Sequence, residues 1–113
     1  METTMIVVKE IVEERGIDEE DVHELLALFL DYTRTEDLAP LLEALRAGNC
    51  SVARDRAHSI KGAALNLKLT EIASLARKIE KKCDAGDLEG VDELVASVAD
   101  ELQLIDDFLK QLD

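Results

Sequence analysis

The chain predicts an all-α fold, an up-and-down antiparallel four-helix bundle with an additional N-terminal helix, and three observations carry that expectation. Apolar residues recur at alternating intervals of three and four, as in Ala53, Ala57, Ile60, Ala64 and Leu67, which is the period of a helix that buries one stripe. One Pro and five Gly among 113 residues leave little material for a turn-rich β fold, and Ala, Leu, Glu and Lys are residues that helices prefer. The segments between periodic runs are short, so neighbouring helices are expected to run antiparallel.

Thr4 to Glu14 reads as a helix with Met5, Val8, Ile11 and Val12 inward, closed by Gly16 in a left-handed cap. Met5-Ile6-Val7-Val8 could serve as a strand, but a lone short strand has nothing to pair with. Asp18 is placed to cap the next helix, whose first turn is acidic and whose inward set is Val22, Leu25, Leu26, Phe29 and Leu30. Pro40 cannot donate to a helical ladder and disfavours a helical Ala39, so a kink or restart is expected, with Asp37 or Thr35 as a fresh N-cap. The segment Leu38 to Ala47 ends at Gly48, and Asn49 caps the helix that carries His58. A short turn around Lys68 leads to a helix from Thr70 to Ala85, with Ile72, Leu75, Ala76, Ile79 and Cys83 at helical spacing. Gly86 ends it, and Asp87 caps a last helix with the stripe Val91, Leu94, Val98, Leu102, Ile105, Leu109 and Leu112. The length suits one hydrophobic core, so residues 1–113 read as one domain, with 1–16 the N-terminal helix and 18–113 the bundle.

Composition excludes several classes of function. No stretch approaches the roughly 20 apolar residues of a membrane span, and no basic-plus-apolar leader precedes the first helix, so a cytoplasmic protein with no membrane partner is expected. Cys50 and Cys83 lie far apart in helical patterns and read as reduced, packed thiols. A formal charge of −13 argues against nucleic acid as a partner, because phosphate binding needs a basic face. The charge is unevenly spread. Between Arg54 and Lys82 eight basic residues face three acidic ones, a local balance of +5. That segment can neutralise acidic neighbours within the fold, or steer an acidic partner towards His58.

His58 is off the buried stripe of its helix. At about 100° per residue it points a quarter turn from Ala57, and Arg54, Lys61, Gly62 and Leu65 share its side. An exposed His on a helix is ordinarily a solvated side chain, and the neighbours change that reading. Glycine inside a helix costs about 1 kcal/mol relative to alanine, so Gly62 needs a packing or an access reason, and its place beyond His58 suggests that something bulky approaches the ring. Lys61 is poorly placed to stabilise a protonated imidazole but well placed to hold an anion attached to it. A neutral imidazole is a nucleophile, so the constellation reads as a phosphoryl-accepting histidine.

Other chemistries find no support. His23-Glu24 lacks the second His of a zinc-protease signature, and His23 reads as a surface residue. Cys50 and His58 stand eight apart, about 12 Å along a helix, too far for one metal centre. With no glycine-rich phosphate loop, ATP has no visible site, so the chain reads as a phosphoryl carrier rather than an enzyme and its phosphoryl group must come from another protein.

The run Ala57-His58-Ser59-Ile60-Lys61-Gly62-Ala63-Ala64, followed by Asn66-Leu67 and the helix Leu69 to Glu80, resembles the histidine-containing phosphotransfer (HPt) domain family. The likeness continues through Ala85-Gly86-Asp87 and back to Leu28-Phe29-Leu30-Asp31, covering the chain from about Asp18 onwards. It departs at Lys68, where the family commonly has glycine. The resemblance implies a phosphorelay carrier whose imidazole Nε2 accepts a phosphoryl group from a receiver-domain aspartate and passes it to another. It implies response-regulator receivers and a hybrid or other histidine kinase as partners, a monomer, and no cofactor of its own, the receiver supplying Mg²⁺. His58 would then be nucleophile and leaving group by turns, Lys61 would offset phosphoryl charge and Gly62 would clear the approach. Arg54 and Leu65 would flank the docking surface, Lys68 would affect which partners fit, and Tyr32 would lie near the histidine. Two alternatives remain at this level: the phosphoacceptor domain of a chemotaxis-type histidine kinase, which a linker and kinase domain would follow, and a helical adaptor with a vestigial His.

Overall fold

The computed structural model describes residues 2–112, so Met1 and Asp113, at the limits of the predicted domain, lie outside the described residues. Six α-helices follow one another: α1 (Glu2–Arg15), α2 (Glu19–Tyr32), α3 (Ala39–Arg46), α4 (Cys50–Asn66), α5 (Thr70–Asp84) and α6 (Val91–Lys110), with a π-helical turn, Thr33–Leu38, joining α2 to α3. The expected break at Pro40 does not occur. Tyr32, Thr33, Leu38 and Ala39 all keep right-handed helical dihedrals, and neither Asp37 nor Thr35 caps a new helix. At 1.5 Å per residue the continuous rod Glu19–Arg46 spans roughly 42 Å, matching the 42 Å long axis of the molecule. With α4, α5 and α6 it makes the four-helix bundle, and α1 packs against α2 and α6.

The π-turn absorbs the proline. Pro40 lacks the N–H that an α-helix would aim at the Glu36 carbonyl, and widening the turn moves the hydrogen bonding on by one residue, so that the Ala39 N–H reaches Arg34 O. The carbonyl left over is taken up from outside: Arg56 of α4 donates to Glu36 O at 3.4 Å and to Asp37 Oδ1 at 3.3 Å. Asp37 is fully buried and also accepts from Ser59 Oγ at 3.0 Å. Burial pushes its carboxyl above the usual value, against the lowering effect of Ser59 and Arg56. Its contribution to stability therefore declines as pH rises through that raised value. Asp37→Ala should cost about 2–3 kcal/mol, because Ser59 and Arg56 lose their acceptor. Asp37→Asn should cost less than half of that, since an amide oxygen still accepts from Ser59. Denaturant midpoints of the two variants check the ordering.

Three turns are built alike. After α3, α4 and α5 the chain closes the helix with one residue at positive φ, namely Gly48 (+69°), Lys68 (+56°) and Gly86 (+69°). Each turn carries the paired bonds of a Schellman cap, for α4 Leu69 N–H to Ala64 O at 2.9 Å and Lys68 N–H to Leu65 O at 3.2 Å. Lys68 thus makes the tight turn in the left-handed region, at about 1–2 kcal/mol of strain that glycine would not carry.

Elsewhere the periodic reading needs rotation by a residue. In α1 the buried residues are Thr4, Val7, Val8 and Ile11, while Met5 is exposed; in α2 Leu25 is exposed beside buried Val22, Leu26, Phe29 and Leu30. In α6 the stripe is Val91, Val95, Val98, Leu102, Ile105 and Phe108, with Leu94 and Leu109 at its edge and Leu112 exposed. Apolar residues satisfy both registers, so spacing does not choose between them. Asp87 does not cap α6, which starts after Gly90; its carboxylate accepts from Glu89 N–H at 3.1 Å and pairs with Lys82 at 3.1 Å. Asp18 stands at the N-cap of α2 without a side-chain cap bond, whereas Asn49 Oδ1 accepts from Val52 N–H at 3.1 Å. His23 is no surface residue: its side chain is 18% exposed and its ring meets Phe108 edge-on, centroids 5.6 Å apart. It shares a face with Leu26 and Leu30, which turns it into the seam with α6.

Candidate functional site at His58

The buried stripe Ala53, Ala57, Ile60 and Ala64 seats α4 in the core and leaves His58 facing outward, its side chain 66% exposed. Helix α5 runs antiparallel beside it, and the two meet in register: Arg54 lies 3.5 Å from Asp84, and four residues on, His58 meets Glu80. Glu80 was not among the residues singled out by sequence, and it organises the site. Its Oε2 lies 2.7 Å from His58 Nδ1 and its Oε1 accepts from Lys61 Nζ at 2.7 Å. The Lys61 hydrogen bond above all, joined by that from His58, holds the Glu80 carboxyl below its usual value, so it is a carboxylate and can only accept. Nδ1 must therefore carry a proton, and in the neutral ring the lone pair falls on Nε2. Nε2 has no hydrogen-bond partner among the described residues.

Gly62 lies one turn beyond the histidine and is exposed; a Cβ built on it meets nothing within 4 Å. No packing neighbour inside the chain requires glycine here, which leaves the access reason. Exposed Leu65 stands near the end of the same helix. Tyr32 is also exposed and lines a groove between α2 and α4 with Leu28, Phe29, Ala63 and Asn66, one to two turns from His58 towards the end of α4. Arg54 is tied to Asp55 and Asp84, and Lys68 to Glu14 at 2.5 Å.

Those pairings redraw the basic segment. Arg56 pairs with Asp37, Lys61 with Glu80 and Lys82 with Asp87, so these charges, with Arg54 and Lys68, are largely answered within the fold. Among the described residues, Arg77, Lys78 and Lys81 on exposed α5 positions have no carboxylate partner.

A family model described as Hpt domain matches residues 24–112. The chain belongs to the Hpt domain family. In structure it is similar to histidine-containing phosphotransfer protein B (HptB) from Pseudomonas aeruginosa PAO1, with a TM-score of 0.79 and 27% identity over 93% of this chain and 88% of that one. Among curated proteins none matches. An Hpt domain is a phosphocarrier module of two-component phosphorelays rather than an enzyme, and it works with receiver domains and histidine kinases. Of the two histidines in this Hpt domain, only His58 lies within the matched span.

Glu80→Gln tests the bridge. A glutamine has one acceptor oxygen for two donors, so either the tautomer of His58 or the position of Lys61 is released, and single-turnover transfer should slow about tenfold. Because Glu80 has a depressed folded-state value, its stabilisation is present above the usual carboxylate range and lost as pH falls through that depressed value. The variant should lose that part of the acid limb in stability measured against pH.

Proposed function

We propose that this protein accepts a phosphoryl group on His58 Nε2 from the phosphoaspartate of one receiver domain and returns it to the aspartate of another. The observation that carries the reading is the Glu80 bridge, which fixes the proton on Nδ1 and turns the free lone pair outward on an exposed ring. In the transfer, the Nε2 lone pair attacks phosphorus as the bond to the aspartyl oxygen breaks, leaving the donor a carboxylate; the second receiver reverses these steps. Lys61 stays beside the site, held by Glu80, where its charge faces the incoming phosphoryl oxygens. The Mg²⁺ that offsets the charge in transfer would be supplied by the receiver, with His58 and Lys61 the groups this chain brings to the phosphoryl. His58 is the acceptor rather than His23, whose Nε2 is buried.

The proposed docking face runs from His58 towards the end of α4. Leu25, Leu28, Tyr32 and Leu65 are large apolar residues left exposed on α2 and α4, and such a cluster beside a reactive group marks an interface. No helix among the described residues is long and apolar enough to cross a membrane, and the proposed setting is the cytoplasm, where receivers and their kinases meet. The test is incubation with phosphorylated receivers from the same source, scoring which of them lose label to this protein. Transfer from at least one is expected; none in either direction would refute the reading.

Steering falls to the unpaired cations. Reversing Arg77, Lys78 and Lys81 to Glu should lower the association rate about tenfold at low salt and flatten its salt dependence, since charges beyond a Debye length of about 8 Å are screened at physiological ionic strength. Stopped-flow association across salt concentrations reads both quantities, and an unchanged slope would remove α5 from the steering field.

A further inference from the structure

Helix α1 lies outside the span matched by the family model, yet its last turn lands beside the proposed docking face. Arg15 donates to the backbone carbonyl of Asn66, the last residue of α4, and Glu14 pairs with Lys68 in the turn that follows. The Arg15 guanidinium therefore sits at a helix C-terminus, where unpaired carbonyls and the helix dipole favour a cation. In a chain with 26 acidic residues, Arg15 has no carboxylate partner among the described residues. It also walls the α2–α4 groove, whose other side carries Leu25, Leu28 and Tyr32. Lys68 is matched by Glu14 at this corner, so the charge left open there is Arg15.

We propose that Arg15 is a partner-selecting residue: a receiver that reaches His58 lays an apolar helix face in the α2–α4 groove and sets a carboxylate of that helix against Arg15. The inference rests on the function proposed above. Continuity argues for the receiver as occupant, because Ala63, which lines the groove, directly follows Gly62, so a domain covering Gly62 covers the groove as well. Charge complementarity supplies the rest, since an exposed cation held in place by a backbone carbonyl meets a carboxylate with little further ordering.

Transfer from a panel of phosphorylated receivers to wild type, Arg15→Glu, Arg15→Gln and Leu28→Ala tests this. Arg15→Glu should lower kcat/KM about tenfold or more for the receivers that wild type uses best, through KM, and should change their order of preference. Arg15→Gln should show a smaller loss, and the phosphohistidine lifetime should not move in either variant. Leu28 is 67% exposed, so Leu28→Ala leaves the fold intact and should weaken the same receivers even if an Arg15 variant disturbs α1. Preferences unchanged in Arg15→Glu, or a Leu28→Ala variant that loses nothing, would overturn the inference while leaving His58 transfer standing. If wild type took no label from any receiver, the function and the inference would both fall.

Discussion

His58→Gln should abolish phosphoryl acceptance, a loss of roughly 10³-fold or more as for removal of any nucleophile, while His23→Gln should leave transfer unchanged. The contrast follows from placement. The His58 ring is exposed, oriented through Nδ1 and open at Nε2. His23 lies in the α2–α6 seam against Phe108, with its Nε2 buried and without a hydrogen-bond partner. A phosphoryl group on that nitrogen would have to open the bundle. Single-turnover transfer from a labelled receiver checks both variants; label on the His58→Gln protein would relocate the site.

The second large effect belongs to Gly62. Because a Cβ there meets nothing within 4 Å and the position is exposed, Gly62→Gln should fold normally and gain about 0.5–1 kcal/mol from helix propensity. Transfer should nevertheless fall on the order of 100-fold, because the new side chain stands one turn from Nε2 and holds the donor phosphorus out of attack distance. Stability and activity moving in opposite directions is the signature of a residue kept for access. Thermal unfolding and transfer rates measured on one preparation would show it, and equal rates in the two proteins would remove the steric argument.

The legible part of this protein was the part that depends on one helix at a time. His58, Lys61 and Gly62 lie within five residues, so helical spacing alone places them on one face. Glu80 is 22 residues from His58 on another helix, one acid among 26, and only the antiparallel register of α4 and α5 brings it to both donors. A usable signal was present: Arg54 and His58, four apart, can face Asp84 and Glu80, also four apart. The break expected at Pro40 failed for the same reason. Proline predicts a break from local sterics, and the structure compensates with a π-turn, a buried carboxylate and an arginine from α4, none of which is local. Lys68 was legible as a departure from the family's glycine, but not its outcome, a left-handed lysine held by Glu14 from α1.

The most direct test of the account is to phosphorylate the protein from a receiver and identify the modified atom by ¹⁵N and ³¹P NMR. Glu80 engages Nδ1, so the account predicts a single phosphohistidine, at His58 and on Nε2, with Nδ1 still protonated. Phosphate on His58 Nδ1, or on His23, would contradict it.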